Sequence, residues 1–114
     1  MKIQLLSLSL LCSSSVLAQD ITLINPFEVP AVHEEATIEH WEKARDFLQT
    51  QPGYVSTQLH KSLQPNSTFF LINIAKWEST EDFQRAISNM QKVIPALELD
   101  GVKNYPALYE VIRN

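Results

Sequence analysis

The segment FFLINIAKW (Phe69–Trp77), which leads into Glu78-Ser79-Thr80, decides the fold. Apart from Asn73 and Lys76 it is apolar, which is typical of a strand covered on both faces. Side chains alternate along a strand. One face therefore carries Phe70, Ile72 and Ile74, and the other carries Phe69, Leu71, Asn73, Ala75 and Trp77. Because one layer of helices covers a single face, a second copy of the chain is the simplest candidate to cover the other.

A helix is predicted directly after this strand. Ser79 is a typical N-cap residue, and Glu81 and Asp82 follow in the first turn. The residues Phe83, Ala86, Ile87 and Met90 are spaced i, i+3, i+4 and i+7, so the helix has one apolar face and ends before Pro95.

The residues before this segment alternate between strand and helix patterns. Residues 21–24 predict a strand that ends at Asn25-Pro26, or that continues through 27–29 past a kink. Residues 31–50 have the period of an amphipathic helix, which Pro52-Gly53 ends. In a strand over 54–63, Val55, Thr57 and Leu59 face one way, and Ser56, Gln58 and His60 face the other.

The last strand is predicted over residues 105–112, and residues 93–104 stay unassigned between a loop and a short helical turn. The resulting order is β-α-β-β-α-β. This order predicts an α+β, ferredoxin-like fold, with an antiparallel sheet and two helices on one face.

The first eighteen residues have the features of a signal peptide. Lys2 precedes a short apolar run, and Val16 and Ala18 fit cleavage before Gln19. A membrane anchor needs about 20 continuous apolar residues and is disfavoured; lipidation at Cys12 is the other alternative. We therefore expect a signal peptide over 1–18, a domain over 19–114, export to the periplasm or medium, and no membrane attachment after cleavage.

Composition excludes several classes of function. The chain has two glycines, too few for a Gly-rich phosphate loop, and its one cysteine excludes a disulfide framework. Its net charge is −4, or −5 once Lys2 is removed, so no nucleic-acid partner is expected.

The third strand also carries the strongest candidate for a binding site. Asn73 and Trp77 are four residues apart, so both project from one face. A buried amide beside an indole in an apolar layer suits a flat aromatic ligand. Alternatively, Trp77 only fills the core and Asn73 only satisfies a loop carbonyl.

The histidines offer little else. His33 and His40 are seven apart on the first helix, whereas a metal pair prefers a spacing of four, and no carboxylate–histidine cluster completes a site. No metal is therefore expected. His60 lies on the second strand, where it is either a residue at the rim of the sheet or a general base.

Five stretches together resemble the antibiotic biosynthesis monooxygenase (ABM) domain family, and they span about residues 21–112. The stretches are INPFEVP (24–30), WEKARDFL (41–48), QPGYVSTQLH (51–60), Phe70 to Ser79 with its Trp77-Glu78-Ser79 end, and PALY (106–109). The resemblance implies a dimeric α+β barrel with a pocket between sheet and helices in each subunit. Members include cofactor-free oxygenases that make quinones from phenols, haem-degrading enzymes and proteins that degrade signal molecules.

The family's functional residues carry over only in part. Asn73 and Trp77 match the Asn and Trp of the cofactor-free members, but Phe83 stands about where those have a tyrosine. Asn25 and Trp77 match the haem degraders, yet no histidine follows His60 to bind the iron.

The sequence therefore supports three functional hypotheses. The first is a cofactor-independent monooxygenase for a small phenol or hydroquinone, with Asn73, Trp77 and His60 as catalytic residues. Its candidate substrate contacts are Asn25, Trp41, Phe83 and Met90. The second is a non-catalytic periplasmic homodimer that binds a small molecule. The third is a haem-binding protein that uses His33 or His40 as a substitute ligand.

Overall fold

The computed structural model describes residues 20–114, so the predicted signal peptide and Cys12 lie outside the described residues. The chain forms an antiparallel sheet with two helices. Its elements are β1 (Ile21–Glu28), α1 (Glu34–Leu48), β2 (Tyr54–Lys61), β3 (Leu71–Trp77), α2 (Thr80–Gln91), β4 (Lys103–Asn104) and β5 (Ala107–Tyr109). The strand order is β2-β3-β1-β4, and β5 also pairs with β1. This confirms the ferredoxin-like α+β fold.

The central strand β3 pairs with β1 on one side and with β2 on the other. Its residues Leu71, Asn73, Ala75 and Trp77 are buried, while Ile72 and Ile74 on the outer face are only half-buried. The alternation predicted from the sequence is confirmed here. The hydrophobic core forms on the inner face, around Leu23, Ala75, Trp77 and Ala86.

Helix α2 begins where its local signals predict. The Ser79 hydroxyl accepts a hydrogen bond from the Asp82 backbone N–H at 3.0 Å, which satisfies one of the free donors of the first turn. Helix α1 is shorter than predicted, because residues 31–33 form a 3₁₀ turn that precedes it.

Strand β1 continues through Pro26, so the alternative that extends it past Asn25 is the right one. The Pro26 carbonyl accepts from the Tyr105 N–H at 3.0 Å. The N–H that proline lacks would point to the same side of the strand. The chain that pairs with β1 is interrupted at that place, between β4 and β5. The prediction of a single strand over 105–112 is therefore wrong, because only β5 forms within that range.

A β-bulge lies at the start of β2. Tyr54 pairs with Trp77 but Ser56 pairs with Lys76, so Val55 is the extra residue. Val55 is 42% exposed, and Tyr54 instead packs on Trp77. The prediction that Val55 shares a face with Thr57 and Leu59 is therefore wrong. From residue 56 onward the predicted alternation agrees with the register.

Candidate functional site

A cavity of about 560 Å³ lies between the inner face of the sheet and the two helices. Its size is within the range of about 300–1,000 Å³ that is usual for small-molecule sites. Strands β1, β2 and β3 form its floor, α1 and α2 its walls, and residues 94–97 help to close it. Most of the lining is apolar. Both Asn73 and Trp77 line it, so the amide and the indole border one chamber.

The Asn73 side chain is the central polar group of the floor. The residue is 8% exposed, and its Oδ1 accepts a hydrogen bond of 2.7 Å from the Thr57 hydroxyl. No side-chain hydrogen bond within residues 20–114 gives its Nδ2 an acceptor. A buried donor without a partner costs about 1–3 kcal/mol. This amide therefore presents an N–H group for which residues 20–114 supply no acceptor.

Trp77 forms a fixed wall of the chamber. It is 1% exposed, and two aromatic rings pack against it nearly at right angles. The Tyr54 centroid lies 5.6 Å from it and the Phe83 centroid 5.8 Å. Edge-to-face contacts of this kind stabilise an aromatic pair by about 0.5–1.5 kcal/mol beyond its area burial. The indole is both part of the core and part of the cavity lining.

A row of polar side chains crosses the floor, one from each of four neighbouring strands. Asn25 is the register partner of Asn73, so the two amides lie side by side on the same face. The Asn104 amide Nδ2 donates to Asn25 Oδ1 at 3.3 Å. Together with Thr57, these residues form the series Thr57–Asn73–Asn25–Asn104, all of which line the cavity.

The other predicted contact residues divide into two groups. Asn25, Trp41 and Met90 line the cavity together with Asn73. Phe83 does not line it and packs on Trp77 instead, so it supports the wall rather than facing a ligand.

His60 lies outside the chamber. It pairs with Ile72 on the outer face of the sheet, and its Nδ1 is 3.3 Å from the Ile72 carbonyl oxygen. It therefore cannot exchange a proton with a molecule that is bound beside Asn73. His60 therefore does not serve as the general base of this cavity, because the strand register turns it to the outer face of the sheet.

Sequence reasoning named His40 only as a substitute haem ligand and did not place it at the phenol site. The imidazole lies on α1 and lines the chamber. Burial, and then the charge of Lys43, lower the pKa of His40 from its ordinary value of 6.5. The ring is therefore neutral at pH 7 and able to accept a proton. Its position one residue before the apolar Trp41 was the available signal.

Arg45 is the charged residue of the cavity wall. Its guanidinium carbon lies 5.3 Å from the centre of the Trp41 ring, and its Nε is 3.0 Å from Asp46 Oδ1. No aspartate or glutamate of residues 20–114 lines the chamber, although the chain carries 13 acidic residues. The lining is thus electrostatically suited to a neutral or anionic guest.

Among residues 20–114, no three His, Cys, Asp or Glu side chains come together as a potential metal site. None of the helices there has the length and apolar content that a membrane crossing requires.

The antibiotic biosynthesis monooxygenase family model matches residues 20–89, which contain most of the sheet and both walls of the cavity. The chain belongs to this family. A search of curated proteins finds no match.

Several solved structures have the same fold as this chain. A crystal structure of "a putative monooxygenase from Shewanella loihica PV-4" is 49% identical, with a TM-score of 0.76, and the match covers 83% of this chain and 96% of that one. SnoaB of Streptomyces nogalater, a cofactor-independent oxygenase, is 22% identical, with a TM-score of 0.63 over 85% and 97% of the two chains.

A haem-degrading protein also has this ABM fold. MhuD of Mycobacterium tuberculosis, solved with two haems in its active site, is 18% identical, with a TM-score of 0.62 over 82% and 97% of the two chains. At this identity, as with SnoaB, the likeness shows the fold alone.

Proposed function

We propose that this protein is a cofactor-independent monooxygenase that oxidises a small phenol or hydroquinone in the cavity between sheet and helices. The observation that carries the proposal is the pairing of the Asn73 amide with the Trp77 indole in a largely apolar chamber of about 560 Å³. Family membership and the cofactor-independent oxygenase among the structural neighbours support the same reaction class.

The reaction needs no electron donor besides the substrate. A phenol with a ring C–H reacts with O₂ to give a quinone and water, so one oxygen atom enters the ring and the other leaves as water. The phenol first loses its hydroxyl proton, and the electron-rich anion then reduces O₂ and forms a C–O bond at the ring. Loss of the C–H proton and cleavage of the O–O bond complete the carbonyl.

Each cavity residue has one task in this sequence. Asn73 Nδ2 donates a hydrogen bond to the phenolate oxygen, and Trp77 provides the apolar wall against which the ring lies. His40, neutral at pH 7 because its pKa is lowered, accepts the phenol proton in the role first expected of His60. Exclusion of water by the apolar lining strengthens these polar contacts.

Oxygen uptake tests the proposal. Wild-type protein is mixed with a panel of dihydroxynaphthalenes, and O₂ consumption and quinone absorbance are recorded together. We expect turnover that falls at least tenfold in Asn73→Ala. Asn66→Ala, in an exposed turn, is the matched control and keeps full activity. Equal rates for wild type and Asn73→Ala would reject the role of Asn73.

A second candidate is a small-molecule-binding protein without catalysis. The favouring observation is that Phe83 packs behind Trp77 and brings no hydroxyl group to the chamber. The chain's two tryptophans, Trp41 and Trp77, both line the cavity, so quenching of their fluorescence reports binding directly. Quenching by phenols without oxygen uptake would select this function over the monooxygenase.

Haem remains a third ligand to test. Of the two substitute ligands considered, His40 lines the cavity, whereas His33 is not part of its lining. Haemin titration of wild type and His40→Ala gives the answer: a Soret shift that depends on His40 would favour haem binding, and the absence of a shift would eliminate it.

We also propose that the protein is an exported homodimer. The outer face of the sheet carries Ile24, Pro26, Ile72 and Ile74 in paired register, and both helices pack on the opposite face. A second copy would bury this apolar face. Light scattering at micromolar concentration tests the dimer, and the mass of the protein from a periplasmic fraction tests cleavage before Gln19.

A further inference from the structure

The two amides on the cavity floor have a defined direction. Thr57 donates to Asn73 Oδ1 at 2.7 Å, which leaves Asn73 Nδ2 to face other partners. Asn104 donates to Asn25 Oδ1 at 3.3 Å, which leaves Asn25 Nδ2 in the same way. In both cases a neighbouring donor occupies the acceptor end of the amide.

The two amides stand at neighbouring positions of the floor. Asn25 and Asn73 are register partners on adjacent antiparallel strands, and side chains in this relation have Cβ atoms about 4.5–5.5 Å apart. Asn73 is more than nine-tenths buried, and within residues 20–114 no acceptor satisfies its Nδ2. A guest that meets both groups must therefore offer two neighbouring acceptors.

The charges around the floor favour an anion. The titratable side chains that line the chamber are His40 and Arg45 of α1 and Tyr54 of β2, and no aspartate or glutamate of residues 20–114 is among them. The walls from α2 and from residues 94–97 add no titratable side chain. Two adjacent oxygens on an aromatic ring, one of them ionised, meet these requirements.

We infer that the cavity floor is a two-donor site for a catechol-type anion, in which Thr57 and Asn104 are positioning residues that fix the amides of Asn73 and Asn25. The inference rests on the proposed function in placing a planar aromatic in this cavity. It adds the substrate class, an aromatic with two adjacent oxygens, and the reason why Asn73 acts as a donor.

Without the Thr57 hydroxyl, the Asn73 amide is free to rotate by half a turn. Its Oδ1 would then face the guest and repel a phenolate oxygen. The role of Thr57 is therefore visible in the ionisation of a bound phenol, which a merely structural role would not change.

The experiment compares three probes by tryptophan fluorescence: naphthalene, 2-naphthol and 2,3-dihydroxynaphthalene. In wild type, we expect affinity to rise at least tenfold from naphthalene to the diol. The variant Thr57→Val keeps the shape of the side chain. It is expected to lower the affinity for the diol about tenfold, which corresponds to the loss of one good hydrogen bond. Thr57→Ser restores the affinity, and naphthalene binds equally to all three proteins, which shows that the cavity is intact.

The absorbance of the bound diol as a function of pH gives the second readout. Wild type and Thr57→Ser lower the pKa of the bound phenol below its value in free solution, and Thr57→Val loses this shift. Asn104→Ala removes the longer of the two hydrogen bonds and is expected to lower the affinity for the diol about threefold.

Two results would overturn the inference: naphthalene bound as tightly by wild type as the diol, or Thr57→Val with unchanged diol affinity and phenol pKa. The first needs no variant, so it stands even if Thr57→Val does not fold. Failure of the proposed reaction is separate, because tight diol binding without oxygen uptake refutes the monooxygenase but leaves the two-donor site.

Discussion

Replacement of Asn73 by leucine is expected to stabilise the protein and to abolish its binding of phenols. The amide is buried and its Nδ2 has no acceptor in the part of the chain that the structure describes, a situation that costs about 1–3 kcal/mol. Leucine removes that cost and adds apolar surface next to a cavity with room for it. The lost hydrogen bond from Thr57 offsets about 1 kcal/mol. The net gain is about 1 kcal/mol, which raises the Tm by roughly 4–8 °C for a domain of this size.

Thermal unfolding without ligand and quenching by 2,3-dihydroxynaphthalene are the two measurements. Asn89→Leu is the matched control, since that amide sits on α2, outside the cavity, and donates to Gln51 Oε1 at 3.0 Å. Loss of this hydrogen bond in Asn89→Leu is expected to destabilise the protein by about 1 kcal/mol and to leave diol binding unchanged. If Asn73→Leu unfolds at a lower temperature than wild type, as Asn89→Leu should, the amide is a structural group and the reasoning is refuted.

Four further predictions concern the site and the fold. The activity of wild type should rise with pH through a value below 6.5 as His40 loses its proton, and this inflection should vanish in His40→Gln, as pH–rate profiles would show. Gly53→Ala should lower the Tm markedly, because Gly53 has a φ of +88° and a Cβ there would collide with the Asp82 side chain, whereas Pro52→Ala at the exposed neighbouring position should not. Ser79→Ala should cost about 1 kcal/mol in chemical unfolding by removing the α2 cap, with Ser79→Asp restoring it. Ile74→Glu should convert the proposed dimer to a monomer in light scattering; a dimer that persists would place the interface elsewhere.

The elements could be predicted from the sequence wherever their signals are local. The start of α2 depends on Ser79 and on the two acidic residues of the first turn, Glu81 and Asp82. The helix begins directly after Ser79, as these signals predict. The burial of alternate residues in β3 follows from the backbone alone. The interruption of the last strand could be found only in part in this way. Pro106, which lacks an N–H, is a local signal within it, but Pro26, about 80 positions earlier, removes a second donor from the pairing.

The composition of the site was harder to predict, because strand register decides which faces meet. Alternation within β2 put His60 and Thr57 on opposite faces of the sheet. It could not show which of the two shares a face with Asn73. A bulge at Val55 shifts the register by one residue and was invisible in the pattern. His40 was not assigned to the phenol site for a related reason, since a histidine at the edge of an apolar stripe faces either solvent or a cavity, depending on how the helix packs.

The polar row across the floor is the place where the sequence departs from the pattern that would stabilise this sheet best. Leu23, Leu71 and Ala75 on the same inner face are buried and apolar, as a helix-covered sheet requires. Thr57, Asn73, Asn25 and Asn104 interrupt that face at neighbouring positions, and two hydrogen bonds turn the oxygen of Asn73 toward Thr57 and the oxygen of Asn25 toward Asn104, on opposite sides of the row. Departures from local rules that lie together are expected at functional sites, because there stability is exchanged for binding. A stabilised but inactive Asn73→Leu protein would show that exchange directly.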